Sequence, residues 1–387
     1  MVFLPYLCSL KHEIHNSLLF NYLIFIIMYD TSLEDSWQAR LLAEEKSKKE
    51  FTSIKEKYVI DGDVDYPEPE YLIRIGDVPT LPKGNLVAVS AKWKNGKTFF
   101  CDILSAIFLG SDVFPNCENL IKQGKVRFID TEQAWNDTAR ILKTIRAIIP
   151  EERHDDIEVS CLRDADIDSY SANDDVSRYE FVRQSIEIER PDLVIVDGIA
   201  DLIYNYNDVT ESQDIVHKLA ALANKHNCCI VVVMHQNKGS HDKMMKGHIG
   251  TMLYQKCSDV FQVEKHGEIF LVTHPVSRHR QSDGLVFKLD ENAIPKDGAA
   301  DRHRQMQLEK QQSEQQAREI LAAVIPQDGT PIRRSDIVEQ LTEKHPFQRT
   351  RCYELIKQAL ATGWLEEVDR SRVRLKTEAD VSSVRPL

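Results

Sequence analysis

Leu86-Val87-Ala88-Val89-Ser90-Ala91-Lys92-Trp93-Lys94-Asn95-Gly96-Lys97-Thr98-Phe99 is the stretch on which the fold turns. Leu86 to Val89 is an apolar run of strand length, Phe99 to Leu109 reads as a helix, and a loop ending in Gly-Lys-Thr joins them. That succession is the context a phosphate-binding loop requires. Backbone N–H groups at the helix N-terminus aim at the phosphates, Lys97 reaches the β/γ-phosphates, and the Thr98 hydroxyl ligates magnesium. The predicted nucleotide contacts are therefore Ala91, Lys92, Trp93, Lys94, Asn95, Gly96, Lys97, Thr98 and Phe99, with ATP and Mg2+ as ligands. Ala91 stands where the GxxxxGK[ST] pattern opens with glycine, so the turn there has to accept a Cβ.

Three further strands carry polar residues at their ends. Pro191-Asp192-Leu193-Val194-Ile195-Val196-Asp197 is an apolar strand closed by an acid, the Walker B arrangement, which makes Asp197 the second predicted magnesium ligand beside Thr98. The strand Val126 to Ile129 runs into Asp130-Thr131-Glu132. If that strand neighbours the Leu86 strand, Glu132 can orient or deprotonate an attacking water; otherwise it is a solvated loop glutamate. Ile230 to Met234 leads into His235-Gln236-Asn237-Lys238, where a sensor of the terminal phosphate would sit, unless the composition is only that of a turn.

Strand-length runs alternating with helical segments predict a parallel sheet covered by helices. Val260–Val263, Ile269–Thr273 and Leu285–Leu289 follow with short turns such as Lys265-His266-Gly267, so an antiparallel extension is predicted. Ser32 to Tyr58 reads as an exposed helix, Asp155 to Asp175 as an acidic solvated loop, and Asp297 to about Gln312 as a linker or linker helix. The order helix (Ala317–Val324), turn, helix (Ser335–Lys344), helix (Arg349–Thr362) and a strand pair around Asp369 predicts a small winged helix-turn-helix. The predicted division is 1–27, an extension ahead of a native start at Met28; 28–70, a helical arm and linker; 71–292, the ATPase domain; 293–314, a linker; 315–378, the winged helix; and 379–387, a tail.

Composition bounds the partners. A 387-residue chain with 42% hydrophobic and 28% charged residues excludes collagen-like and largely disordered classes. A net charge of −12 argues against a uniformly basic nucleic-acid coat while leaving room for a local basic groove. Eight cysteines without a CxxC pair predict buried reduced thiols and a cytoplasmic setting. The apolar run Leu18 to Ile27 is half the roughly 20 residues needed to span a bilayer, so no membrane association is expected.

Taken together, from about Ile73 to Asp290, these parts resemble the RecA-like ATPase core, and within it the RepA-type hexameric helicases of plasmids. The resemblance implies nucleotide and magnesium binding by Lys97 and Thr98, a Walker B role for Asp197, Glu132 as catalytic base, and His235 or Gln236 as sensor. It implies a homo-oligomeric ring or filament acting on single- or double-stranded DNA. Relatives carry arginines near the end of the core, and Arg278 and Arg280 in Ser277-Arg278-His279-Arg280-Gln281 fit a finger donated to the neighbouring subunit; a basic hairpin tip is the plainer alternative. Lys92 occupies the position of a signature lysine in ATPases resembling ParA, which keeps open an ATP-switched DNA-binding regulator or partition factor that unwinds nothing. Ala91 keeps open a nearly inactive scaffold.

In the C-terminal segment, Arg349, Arg351 and Lys357 on the third helix would reach a major groove or adjacent phosphates. Arg370, Arg372 and Arg374 have the alternate spacing that places side chains on one face of a strand. Winged helices also mediate protein contacts, so that reading stays alongside.

Overall fold

The computed structural model describes residues 31–165, 177–239 and 242–376. The predicted extension 1–27 and tail 379–387 lie outside these. Residues up to Glu68 form one unit and Pro69–Leu387 a second. In the first, α1 (Thr31–Tyr58) is a 28-residue helix rich in Ala, Leu, Glu and Lys, and its described side chains, Trp37 to Tyr58, are all exposed.

The second unit begins with β1 (Tyr71–Ile75), β2 (Val78–Pro82) and β3 (Leu86–Ala91), followed by α2 (Lys97–Phe108), β4 (Cys117–Asn119), β5 (Val126–Asp130), α3 (Trp135–Arg146) and β6 (Ile157–Cys161). It continues with α4 (Arg178–Gln184), β7 (Leu193–Asp197), α5 (Val209–His226), β8 (Cys229–His235), α6 (Gly247–Lys256), β9 (Asp259–His266), β10 (Ile269–Ser277), β11 (Leu285–Leu289) and β12 (Pro295–Asp297). The last elements are α7 (Ala299–Ala322), β13 (Ile332–Arg333), α8 (Arg334–Lys344), α9 (Arg349–Ala361), β14 (Leu365–Glu367) and β15 (Arg372–Leu375).

Nine strands form one sheet in the order β12-β11-β10-β9-β3-β8-β7-β5-β6. From β9 to β6 every neighbouring pair is parallel, while β10, β11 and β12 extend the sheet antiparallel beyond β9. The central strands are apolar on both faces because each face is covered. Leu193 and Ile195 join the core under α2 and α3, whereas Val194 and Val196 join the core under α4, α5 and α6. This is the α/β, RecA-like P-loop core, with its antiparallel extension, that the motif order predicts.

Two expectations change, the boundary at 292 and the loop over Asp155–Asp175, and two features are added to them. Pro295–Asp297 pairs with β11, so the sheet runs past the predicted boundary at 292. Of the linker and linker-helix readings of the segment after it, the helix is the one found: from Ala299 on the chain is α7, a continuous helix of 24 residues. That helix has almost no apolar face before Ala317 and is supported by four-residue pairs such as Gln305–Glu309 and Gln315–Glu319. Within Asp155–Asp175, the predicted loop, Ile157–Cys161 is the edge strand β6: Ile157 tucks into the core while Glu158 faces outward to Arg127. Tyr71–Pro82 forms a hairpin that pairs with β4 in a separate three-stranded sheet, which the turn-rich sequence around it conceals.

The C-terminal elements have their own core, in which Ala317 and Leu321 of α7 meet Ile337 and Leu341 of α8, Cys352, Leu355 and Ile356 of α9, and Leu365 and Val373. Their sheet runs β13-β15-β14. Among the described residues no helix is long and apolar enough to cross a membrane.

Candidate nucleotide-binding site

The ends of four parallel strands converge. Ala91 lies beside His235, and Asp130 lies beside Asp197, all at the carboxyl edge of the sheet. That edge is where open α/β sheets bind ligands. Ala91 is the last residue of β3, fully buried and outside the positive-φ residues, so its Cβ is accommodated by ordinary strand geometry. The left-handed positions of the loop fall later, at Lys94 (φ 59°) and Gly96 (φ 82°). Gly96 is doubly constrained, because a Cβ there would lie 2.7 Å from Cδ1 of Phe270. Phe270 stacks on Phe287 at 4.7 Å, so the antiparallel extension supports the loop from below. α2 starts at Lys97 with no acidic residue in its first turn and no side-chain cap, leaving its N-terminal N–H groups for an anion.

Around this terminus lies a cleft of about 380 Å³ lined by Trp93 to Phe99, Glu132, His235 and residues of α3. Thr98 Oγ1 donates to Asp197 Oδ2 at 2.6 Å, which joins the two predicted magnesium ligands directly. The hydroxyl and the carboxylate are both hard oxygen donors of the kind magnesium takes. Burial pushes the Asp197 carboxyl up to about 7, against the pull of Thr98 and Lys97. Lys97 Nζ lies 3.1 Å from His235 Nδ1. An ammonium can only donate, so Nδ1 accepts and Nε2 carries the hydrogen toward Glu132 Oε1 at 3.5 Å. The hydrogen bond to His235 holds Glu132 below the usual carboxylate range, although burial opposes it. Burial lowers Lys97, and the fields of Asp197 and Glu132 counter that.

β5 does not neighbour β3, since β8 and β7 intervene. Glu132 reaches the cleft because the chain folds across the sheet edge after Asp130. Asp130 Oδ1 accepts from the N–H groups of Glu132 and Gln133, each at 3.0 Å, and Oδ2 accepts from Thr138 at 2.6 Å. Thr131 Oγ1 donates toward Asp197 O at 2.9 Å and Asp201 Oδ2 at 3.0 Å, binding this turn to the end of β7. The positioning roles of Asp130, Thr131 and Thr138 are not predicted from the Asp130-Thr131-Glu132 motif itself; an aspartate two residues before a turn N–H and ahead of a helix is the signal available for them.

Other predicted residues lie elsewhere. Gln236 turns inward, donating to Ser90 Oγ at 3.2 Å, so of the two sensor candidates His235 is the one in contact with Lys97 and Glu132. Lys92 faces a second cleft of about 510 Å³ with Trp93, Tyr206, Asn237, Lys238 and Lys246. Trp93, Glu132 and His235 line both clefts. Arg278 and Arg280 follow the end of β10, where Ser277 pairs with Asp259 and Asp259 with Val87. They are therefore at the opposite end of the sheet from Gly96, with Arg278 donating to Lys256 O at 2.9 Å and Arg280 paired with Asp77 at 2.8 Å. This chain's own cleft does not contain them.

On the C-terminal elements Arg349, Arg351 and Lys357 are exposed on α9, with Arg351 paired to Glu354 at 3.2 Å. Arg372 pairs with Asp369 at 2.7 Å and Arg374 with Glu366. Arg370 lies in the turn before β15, so only Arg372 and Arg374 of the expected three share a strand face.

No curated protein matches the chain. Residues 51–241, which hold Gly96-Lys97-Thr98, Glu132, Asp197 and His235, match the family model described as an AAA domain and are similar in this to P-loop ATPases.

Proposed function

We propose that the protein hydrolyses ATP to drive a DNA transaction, as a RepA-like helicase or helicase-loader ATPase of a plasmid or mobile element, working as a homo-oligomeric ring or filament. The observation that carries the reading is the pair of adjoining clefts with Trp93, Glu132 and His235 common to both. In the first, Lys97 and the open helix terminus take the phosphates, Thr98 and Asp197 hold the metal, and Glu132 orients the attacking water. Magnesium, when bound, neutralises charge on the β- and γ-phosphate oxygens. His235 bridges Lys97 and Glu132, so a terminal phosphate that recruits Lys97 would release His235 to report its presence.

The second cleft combines cations and rings. In it Lys246 sits 4.8 Å over Tyr206, beside Trp93, which is 73% exposed and carries Lys94 of the phosphate cleft 4.3 Å over its ring. Base stacking on the exposed ring of Trp93, next to the half-buried ring of Tyr206 and flanked by cations, suits single-stranded nucleic acid. A strand held there touches the residues that line the phosphate cleft, which supports DNA-dependent turnover. The α7–β15 segment, read as a winged helix-turn-helix, would add duplex contacts through Arg349, Arg351 and Lys357, and with Arg372 and Arg374 freed from their carboxylates.

The second reading is an ATP-switched DNA-binding regulator, favoured by Lys92 lying outside the phosphate cleft of its own chain. Steady-state ATP hydrolysis with and without single- and double-stranded DNA separates the two, with Lys97→Ala as blank and oligomer mass recorded. Single-strand stimulation in a ring-sized assembly supports the first; a DNA-indifferent dimer supports the second.

A further inference from the structure

Thr98 and Asp102 stand four residues apart in α2 and so lie one above the other on the same helix face. Thr98 is bonded to Asp197, but Asp102 makes no such bond. It is 1% exposed, and its Oδ1 is buried with no hydrogen-bond partner among the described residues. It nevertheless lines the phosphate cleft together with Thr98 and Lys97. Burial, and then the fields of Asp197 and Asp130, push its carboxyl well above the usual range.

Interior carboxylates are ordinarily paired or bound to metal, because an unmatched one weakens the fold. The ammonium of Lys97, which lines the same cleft, is held by His235. A magnesium held by Thr98 and Asp197 would bring further positive charge to this part of the cleft. Magnesium keeps several of its waters, and outer acceptors that hold such waters set its affinity.

We infer that Asp102 is an outer-sphere magnesium residue, accepting a hydrogen bond from a water on the metal held by Thr98 and Asp197. The inference rests on the nucleotide reading of this cleft. Asp102 is a positioning residue, acting through that water and not on the phosphates. It follows that Asp102 weakens the metal-free protein and strengthens the loaded one, a reversal that a packing role would not produce.

The test uses the full chain with ATP bound and Mn2+ as the probe, its free concentration read by electron paramagnetic resonance. ATP binding in EDTA and the melting temperature of the metal-free protein are recorded alongside. Asp102→Leu is expected to raise half-saturating Mn2+ by about tenfold or more, and Asp102→Asn, which keeps the shape, to raise it by less. Both are expected to leave ATP binding in EDTA unchanged and to raise the metal-free melting temperature. Half-saturation within about twofold of wild type in either folded variant, or a lowered metal-free melting temperature in both, overturns the inference. Failure of the wild type to bind ATP at all overturns the nucleotide reading beneath it instead.

Discussion

Lys97, His235 and Glu132 hold one another in a ladder whose rungs are 3.1 and 3.5 Å, and each rung has a distinct consequence. Lys97→Ala removes the cation on the transferring phosphate, and turnover is expected to fall about a hundredfold or more; near-normal hydrolysis by that variant would refute the site. Glu132→Gln keeps the size and removes the base, so kcat is expected to drop by about 10²–10⁴-fold with ATP affinity preserved. A loss confined to KM would instead assign Glu132 to binding. Asp197 supplies a pH signature. Its carboxyl sits near 7 in the fold against an ordinary value near 4. Between those values the folded chain holds a proton that the unfolded chain has released, so this group's contribution to stability declines as pH rises from about 4 to about 7 and is flat above. Asp197→Asn should therefore shallow the decline in melting temperature of the metal-free protein over that window; parallel curves for the two proteins would contradict the assignment.

At the scale of elements, the site is built by loops that leave strand ends and are tied back across the sheet. The turn after β5 is closed by Asp130 and clamped to β7 by Thr131, which is how Glu132 reaches a cleft whose loop starts three strands away. Gly198 permits the clamp, since its φ is 112° and a Cβ there would lie 2.2 Å from Thr131 Oγ1. Gly198→Ala is expected to destabilise the protein by about 1–3 kcal/mol, read as a lowered denaturant midpoint, and to cost turnover by displacing Glu132. Unchanged turnover in a destabilised variant would show that the clamp serves folding alone.

Across the whole molecule, the nine-stranded sheet closes at Asp297, and α7 carries the chain on to a separate small core. A chain ending at Gly298 is therefore expected to fold cooperatively and hydrolyse ATP while binding duplex DNA more weakly. Undiminished duplex affinity would turn the C-terminal elements toward protein contacts. Arg278 and Arg280 lie at the far end of the sheet from this chain's cleft, so a finger role for either requires a neighbouring subunit. Arg278→Ala is expected to bind ATP normally and lose turnover by about 10³-fold, and mixing it with Lys97→Ala is expected to restore part of that activity. Weak ATP binding by Arg278→Ala would end the finger reading.

The sequence alone determined the phosphate loop, the acid at the end of β7 and the antiparallel extension. These are written in contiguous residues, where apolar runs and Gly-Lys-Thr specify local backbone and chemistry together. Tertiary structure decided the rest. Glu132 enters the cleft through hydrogen bonds between strands far apart in sequence, and Gln236 leaves it because Ser90 lies within reach on β3. Asp102 shows no pattern in the sequence, since four-residue spacing on an apolar helix says nothing of burial until α3 and the sheet enclose it. Between linker and linker helix the sequence left the choice open, and the helix forms because polar residues four apart support one another once the chain is helical, a pairing that a search for apolar periodicity does not register.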